Sequence, residues 1–234
     1  MNTIRLHLIR HGLTQGNLDG LYVGHTDLPL CEQGRLQLKE MKETYRYPDC
    51  GVVFSSPLSR CLETAKILFP AVKPIEMDAL IEYDFGEFEG RSAEELHKKQ
   101  ALFDRWLSGE PDVKPPFGES NAEFAERVCN IFVHIVEGLL KTNTQDACII
   151  THGGVLMTIL SNFGIPEAKP TDWLTPSGCG YTVRIDPILW MAGQKAEVIQ
   201  ELPASPQEAA DNYYDGWDYY PADDDFDISE YIDE

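Results

Sequence analysis

The sequence predicts an α/β fold: a mostly parallel central sheet flanked by helices on both faces, in three layers (α/β/α). Three observations lead there. Short apolar runs of strand type alternate with longer segments of helical apolar period, the connections between them are short, and no internal repeat divides the chain. In order, Ile4–Ile9 is a short apolar strand and Glu32–Tyr45 has helical character. Gly51–Ser55 is a second strand, followed by a helix over Leu58–Phe69, and Val72–Met77 forms a short strand. Ser92–Leu107 and Ser120–Lys141 read as longer helices from their apolar periodicity. Ala147–Thr151 is a buried-type strand, and Val155–Phe163 is a helix after a Gly-Gly turn. Tyr181–Ile185 and Glu197–Leu202 close the sheet.

Composition narrows the possible partners. The 234 residues, 43% hydrophobic and 25% charged, suffice for a substantial core without disulfides or a structural metal. Acidic residues outnumber basic ones by 39 to 19, a formal net charge of -20, so neither nucleic acid nor an anionic membrane surface is an expected partner. No apolar run reaches the length of a spanning helix, and no secretory signal is expected at Met1–Arg5. The six cysteines are scattered, with no Cys-x-x-Cys pair, which fits free thiols in a reducing cytoplasm. The charge is uneven: residues 203–234 carry eleven carboxylates and no Lys or Arg, together with seven aromatics. The expected organisation is therefore a main domain over 1–202 and an acidic, aromatic tail over 203–234. The tail either packs on an apolar patch or folds over the mouth of an anion site, where its carboxylates would mimic the ligand.

In open α/β sheets ligands lie at the carboxyl ends of the strands. Three such ends here are polar: Arg10-His11-Gly12, Ser55-Ser56-Pro57-Leu58-Ser59-Arg60, and Thr151-His152-Gly153-Gly154. Two histidines and two arginines are thus expected to converge on one crevice. Arginine holds phosphate through bidentate, charge-assisted hydrogen bonds, and a neutral imidazole can attack phosphorus to form a covalent intermediate. Positive groups around the phosphoryl oxygens lower a very high barrier electrostatically. Glycines at 153 and 154 allow close backbone approach to an anion at a helix start. The leaving oxygen needs a proton, for which the stretch Leu80–Gly90 offers Glu82, Asp84, Glu87 and Glu89.

These motifs, taken together, resemble the histidine phosphatase superfamily, the phosphoglycerate mutase-like proteins. Leu8-Ile9-Arg10-His11-Gly12-Leu13-Thr14 with Asn17 resembles the phosphohistidine signature, and Tyr22–Leu30 the loop that follows it. Ser55–Arg60 with Glu63-Thr64-Ala65 resembles the second arginine motif, Leu80–Gly90 the acid motif, and Thr151–Gly154 the second histidine motif. The likeness covers roughly residues 3–200, and the tail lies outside it. The resemblance implies that His11 is the nucleophile, that Arg10, Arg60 and His152 bind the phosphoryl oxygens, and that Glu82 is the proton donor and then the base. Asn17, Thr26 and Gly153 would line the substrate pocket. No metal and no cofactor are implied. His7 reads as structural, and His25 as a possible substrate contact.

The catalytic core alone does not separate phosphatases from mutases. Only 69 residues separate Glu82 from His152, fewer than in phosphoglycerate mutases, and 85–92 and 115–120 resemble small bacterial phosphatases such as α-ribazole phosphatases. Phe88 and Phe117 depart from that pattern, where Trp and Gly are usual. Residues 91–127 would form a lid over the leaving group. The expected function is metal-independent hydrolysis of a small phosphorylated metabolite through phospho-His11. The alternatives are mutase-type phosphoryl transfer and a non-catalytic binding protein on the same fold.

Overall fold

The computed structural model describes residues 2–99 and 101–205. In chain order the strands are β1 (Ile4–Arg10), β2 (Val53–Ser55), β3 (Ile75–Glu76), β4 (Asp146–Thr151), β5 (Gly164–Ile165), β6 (Gly180–Ile185) and β7 (Ala196–Leu202). The helices are α1 (Gln15–Leu18), α2 (Glu32–Thr44), α3 (Ser59–Leu68), α4 (Ala93–Lys99), α5 (Ala101–Leu107), α6 (Asn121–Thr142), α7 (Gly153–Phe163) and α8 (Pro187–Gly193). The strands form one sheet in the order β3-β2-β4-β1-β6-β7-β5. Only β6 runs against the others, pairing antiparallel with β1 and β7. The sheet is therefore mixed but mostly parallel, as the alternation of elements predicts.

Both faces of the central strands are buried, which is why they read as continuous apolar runs. Leu6 and Leu8 of β1 and Ile149 of β4 enter the larger cluster, with Phe124, Val128 and Phe132 of α6 and Val155 and Leu156 of α7. Ile9, Cys148 and Ile150 point the other way, into a second cluster with Leu38 of α2 and Cys61, Ala65 and Leu68 of α3. The period-2 alternation of the strands thus feeds two cores, one under each helical layer.

The described parts of Ser92–Leu107, expected as one helix, are helical on both sides of residue 100, which lies outside the described residues. Two local readings change. Gly153 and Gly154, expected as a turn, are the first residues of α7, with His152 as its N-cap. Helix α8 was not anticipated, although Asp186 caps it by accepting from the N–H groups of Ile188 and Leu189, with proline as its first residue. The tail falls outside the described residues from 206 onward. Its start is fixed: Ala204 is buried and bridges antiparallel to Arg46. Among the described residues no helix is long and apolar enough to cross a membrane.

The loop at 115–118 packs backbone to backbone on the loop after Glu82. The Glu87 N–H donates to the Pro116 carbonyl at 2.9 Å, and a Cβ on Gly118 would lie 2.3 Å from the Asp84 carbonyl oxygen. Between them Phe117 has φ +64°, in the left-handed region, with its ring 89% exposed. A left-handed L-residue costs roughly 1–2 kcal/mol, of which the freedom a glycine adds to the unfolded chain takes back about 0.5–1 kcal/mol. Phe117→Gly should therefore raise stability by about 0.5–1 kcal/mol, seen as a higher urea midpoint. A lower midpoint would mean that the ring holds the loop.

Candidate active site

Strand register brings the histidines together. The parallel ladder of β1 and β4 sets Arg10 opposite Thr151, so the next residues on the two chains are His11 and His152. Their rings meet edge to face with centroids 5.1 Å apart. Strand β2, on the other side of β4, delivers Ser56 beside them, and Arg60 follows in the first turn of α3.

The tautomers follow from the partners. His11 Nδ1 lies 2.7 Å from the Gly12 carbonyl, an acceptor only, so Nδ1 carries the proton and Nε2 the lone pair. Arg60 Nε donates to His152 Nδ1 at 3.2 Å, so His152 carries its proton on Nε2, 2.8 Å from the Ser56 hydroxyl oxygen. Both imidazoles are held well below the usual histidine range. Burial is the largest cause for each; Arg60 and Arg10 add to it for His11, and His11 and then the arginines for His152. Both rings are therefore neutral at pH 7.

The guanidinium groups are also buried, and burial is what lowers their pKa values from the ordinary arginine value. Arg60, 1% exposed, donates through Nη1 to the Thr26 carbonyl at 2.9 Å and through Nη2 to the Gly24 carbonyl at 2.6 Å. Arg10 Nη1 donates to the Thr175 carbonyl at 2.6 Å, while its buried Nε has no hydrogen-bond partner. Gly153 lies against that Nε, where a Cβ would be 3.5 Å away.

Glu82 is buried at the start of α7. Its Oε2 accepts from the Gly154 N–H at 2.9 Å and its Oε1 from the Tyr83 N–H at 2.9 Å. Asn17 spends its Oδ1 on the Thr14 N–H and hydroxyl, leaving Nδ2 without a hydrogen-bond partner among the described residues. The Thr26 hydroxyl donates to Glu89 Oε2 at 2.8 Å. His25 Nδ1 stands 4.0 Å from Asp84 Oδ2 at the rim. Cys61 lies beneath His152, its Sγ 3.6 Å from Nε2, and burial pushes its thiol up to about 12. His7, by contrast, bonds Thr182 inside the sheet.

Four further contributors have roles that the sequence does not show, although Ser56, Thr64 and Glu89 lie within the motifs quoted from it. Ser56 fixes the His152 tautomer, and the Thr64 hydroxyl oxygen accepts the Gly12 N–H at 3.0 Å. Glu89, weighed from sequence as an acid, instead accepts from the N–H groups of Gly24 and His25, both at 2.8 Å, and from Thr26. Arg127 holds the backbone around Glu82. Their roles depend on contacts between segments far apart in the chain. Among the described residues no group of three or more His, Cys, Asp or Glu side chains is placed to hold a metal ion.

A buried, neutral imidazole with a free lone pair, ringed by two arginines and a carboxyl group, has the chemistry that phosphoryl transfer needs. Residues 6–191 match the histidine phosphatase superfamily (branch 1), and the chain belongs to that family. It is an enzyme with phosphatase-type activity. It is 29% identical over 187 residues to the adenosylcobalamin/alpha-ribazole phosphatase of Escherichia coli, covering 78% of this chain and 91% of that one. The crystal structure of the alpha-ribazole phosphatase from Shigella flexneri superposes with a TM-score of 0.71 at 27% identity, covering 86% of this chain and 96% of that one. A 2,3-bisphosphoglycerate-dependent phosphoglycerate mutase of Gloeobacter violaceus is 30% identical over 162 residues, 66% of this chain and 73% of that one.

Two predictions follow from this geometry. An alanine Cβ at 154 would lie 2.4 Å from Glu82 Oε1. Gly154→Ala should displace the carboxyl group and lower kcat on p-nitrophenyl phosphate by about ten- to a hundredfold, since small misplacements cost that much. Unchanged kinetics would show that Glu82 has room to move. The second concerns pH. Above about 6.5 neither the folded nor the unfolded chain protonates these histidines. Below it the unfolded chain takes up protons that the buried rings refuse, so stability falls as pH falls, by up to about 1.4 kcal/mol per pH unit for each ring. Urea midpoints from pH 7 to 5.5 should show this slope, and His11→Asn with His152→Asn should flatten it.

Proposed function

We propose that the protein hydrolyses a small phosphomonoester through a phosphohistidine on His11. The observation that carries this reading is the pairing of the unprotonated His11 Nε2 with the buried, unpartnered Nε of Arg10. A buried donor without a partner costs about 1–3 kcal/mol, which a bound anion recovers. Arg10, Arg60, the Gly153 N–H and Asn17 Nδ2 hold the phosphoryl oxygens. His152 joins them when Arg60 Nε turns to the phosphate and Nδ1 takes a proton, which the bound anion then stabilises.

His11 Nε2 attacks phosphorus, the bond to the leaving oxygen breaks, and the Glu82 carboxyl group gives that oxygen its proton. Water then attacks the phosphohistidine, Glu82 takes up the water's proton, and inorganic phosphate leaves with His11 regenerated. The guanidinium groups stabilise charge on the transferring group. Thr26 contributes through its carbonyl, which holds Arg60. Residues 91–127 cover the leaving group, and the catalytic domain takes in 1–202.

The substrate class is a small phosphorylated metabolite of the α-ribazole phosphate kind, a reading supported by the relatives that cover most of this chain. The net charge of -20 disfavours nucleic acid as substrate. The free cysteines suit the cytoplasm.

The test is phosphate release from p-nitrophenyl phosphate, α-ribazole phosphate and 3-phosphoglycerate in EDTA, with the protein and with His11→Ala. Release should survive EDTA, vanish in the variant, and be fastest for α-ribazole phosphate. Isomerisation of 3-phosphoglycerate exceeding release would instead mark a mutase. Absence of an acid-labile, alkali-stable phosphoryl label would overturn the covalent mechanism.

A further inference from the structure

We propose that Arg127, paired with Glu119, is a positioning residue that aims the Glu82 carboxyl group at the leaving oxygen; this rests on the reading of Glu82 as proton donor. Glu82 sits in an irregular stretch between the 3-10 turns at 78–80 and 86–88, with no sheet ladder to fix it. Its carbonyl and those of Ala79 and Ile81 instead turn toward one side chain. Arg127 donates through Nη1 to Ala79 at 3.0 Å and Ile81 at 2.8 Å, and through Nη2 to Glu82 at 3.3 Å.

The same guanidinium is forked onto Glu119, with Nη2 2.6 Å from Oε1 and Nε 3.3 Å from Oε2. Glu119 Oε1 in turn accepts the Asp84 N–H at 2.9 Å. The pair therefore grips the backbone on both sides of the acid, before it at 79 and 81 and after it at 84. Its base is firm: Arg127 belongs to α6, whose first turn is closed by reciprocal hydrogen bonds between Ser120 and Glu123. From the opposite direction Gly154 holds the carboxyl group itself. Glu82 is thus located by two rigid helices, α6 behind its backbone and α7 at its oxygens. A lysine at 127 keeps the charge but offers one nitrogen where the fork uses three, so it cannot hold all these acceptors.

The test is kcat/KM across p-nitrophenyl, phenyl and alkyl phosphates, for the unaltered protein, Glu82→Gln, Arg127→Lys and Glu119→Gln, with Tm measured for each. A poor leaving group needs the proton and a good one does not. Arg127→Lys should lose about threefold on p-nitrophenyl phosphate and about thirtyfold or more on alkyl phosphates. Glu119→Gln should shift in the same direction by less, and it decides the matter if Arg127→Lys does not fold. If Glu82→Gln steepens the leaving-group dependence while folded Arg127→Lys and Glu119→Gln lose activity equally on all substrates, or not at all, the clamp is overturned alone. If Glu82→Gln leaves the dependence unchanged, the acid assignment fails and the clamp falls with it.

Discussion

Burying the Arg60 guanidinium is the constraint on which the site depends. A cation removed from water is costly unless its donors are met, and here they are met by carbonyls and a ring nitrogen rather than by a carboxylate. A carboxylate partner would cancel the charge that an anion site needs. Carbonyls leave it intact, but they must be brought in on a loop that is itself held. Glu89 holds that loop through the N–H groups of Gly24 and His25 and the Thr26 hydroxyl. Asp27, one residue on, accepts from the N–H and hydroxyl of Ser59 at the start of α3, whose Leu58 N-cap makes no side-chain bond. The circuit closes on itself: α3 carries Arg60, Arg60 binds the loop, and the loop caps α3. Gly24 is a glycine because a Cβ there would sit 1.8 Å from the Tyr83 carbonyl oxygen.

The second organising feature is strand register. A parallel ladder places equivalent positions side by side, so Arg10-His11 and Thr151-His152 need no loop to find each other. This puts the chemistry on the rigid part of the molecule and leaves the loops to supply the surroundings. Glu82 is the exception, coming from an irregular segment, and it is held both at its carboxyl oxygens and at its carbonyl.

How much of this was legible beforehand follows from the same distinction. Central strands announce themselves because both faces are buried, and β1, β2 and β4 lie close to where the apolar runs put them. The histidines and arginines were legible because they sit directly at strand ends, within motifs of several residues. Glu89, Ser56 and Arg127 were not, because each acts on a segment far away in the chain, and nothing local marks an acid as a tether or an arginine as a clamp. The Gly-Gly pair differs for a physical reason: glycine reads as a breaker, yet here the missing side chain of Gly154 makes room for the Glu82 carboxyl group at a helix start.

The thiol beneath His152 has a consequence of another kind. Sulfur lies within 3.6 Å of a catalytic-site imidazole, yet burial keeps it protonated and enclosed. Peroxides and alkylating agents attack thiolate, and here they find none. In the proposed mechanism the reacting atom is a nitrogen, which peroxides leave alone. Exposure to hydrogen peroxide, which silences phosphatases built around a nucleophilic cysteine, finds no equivalent point of attack in this pocket.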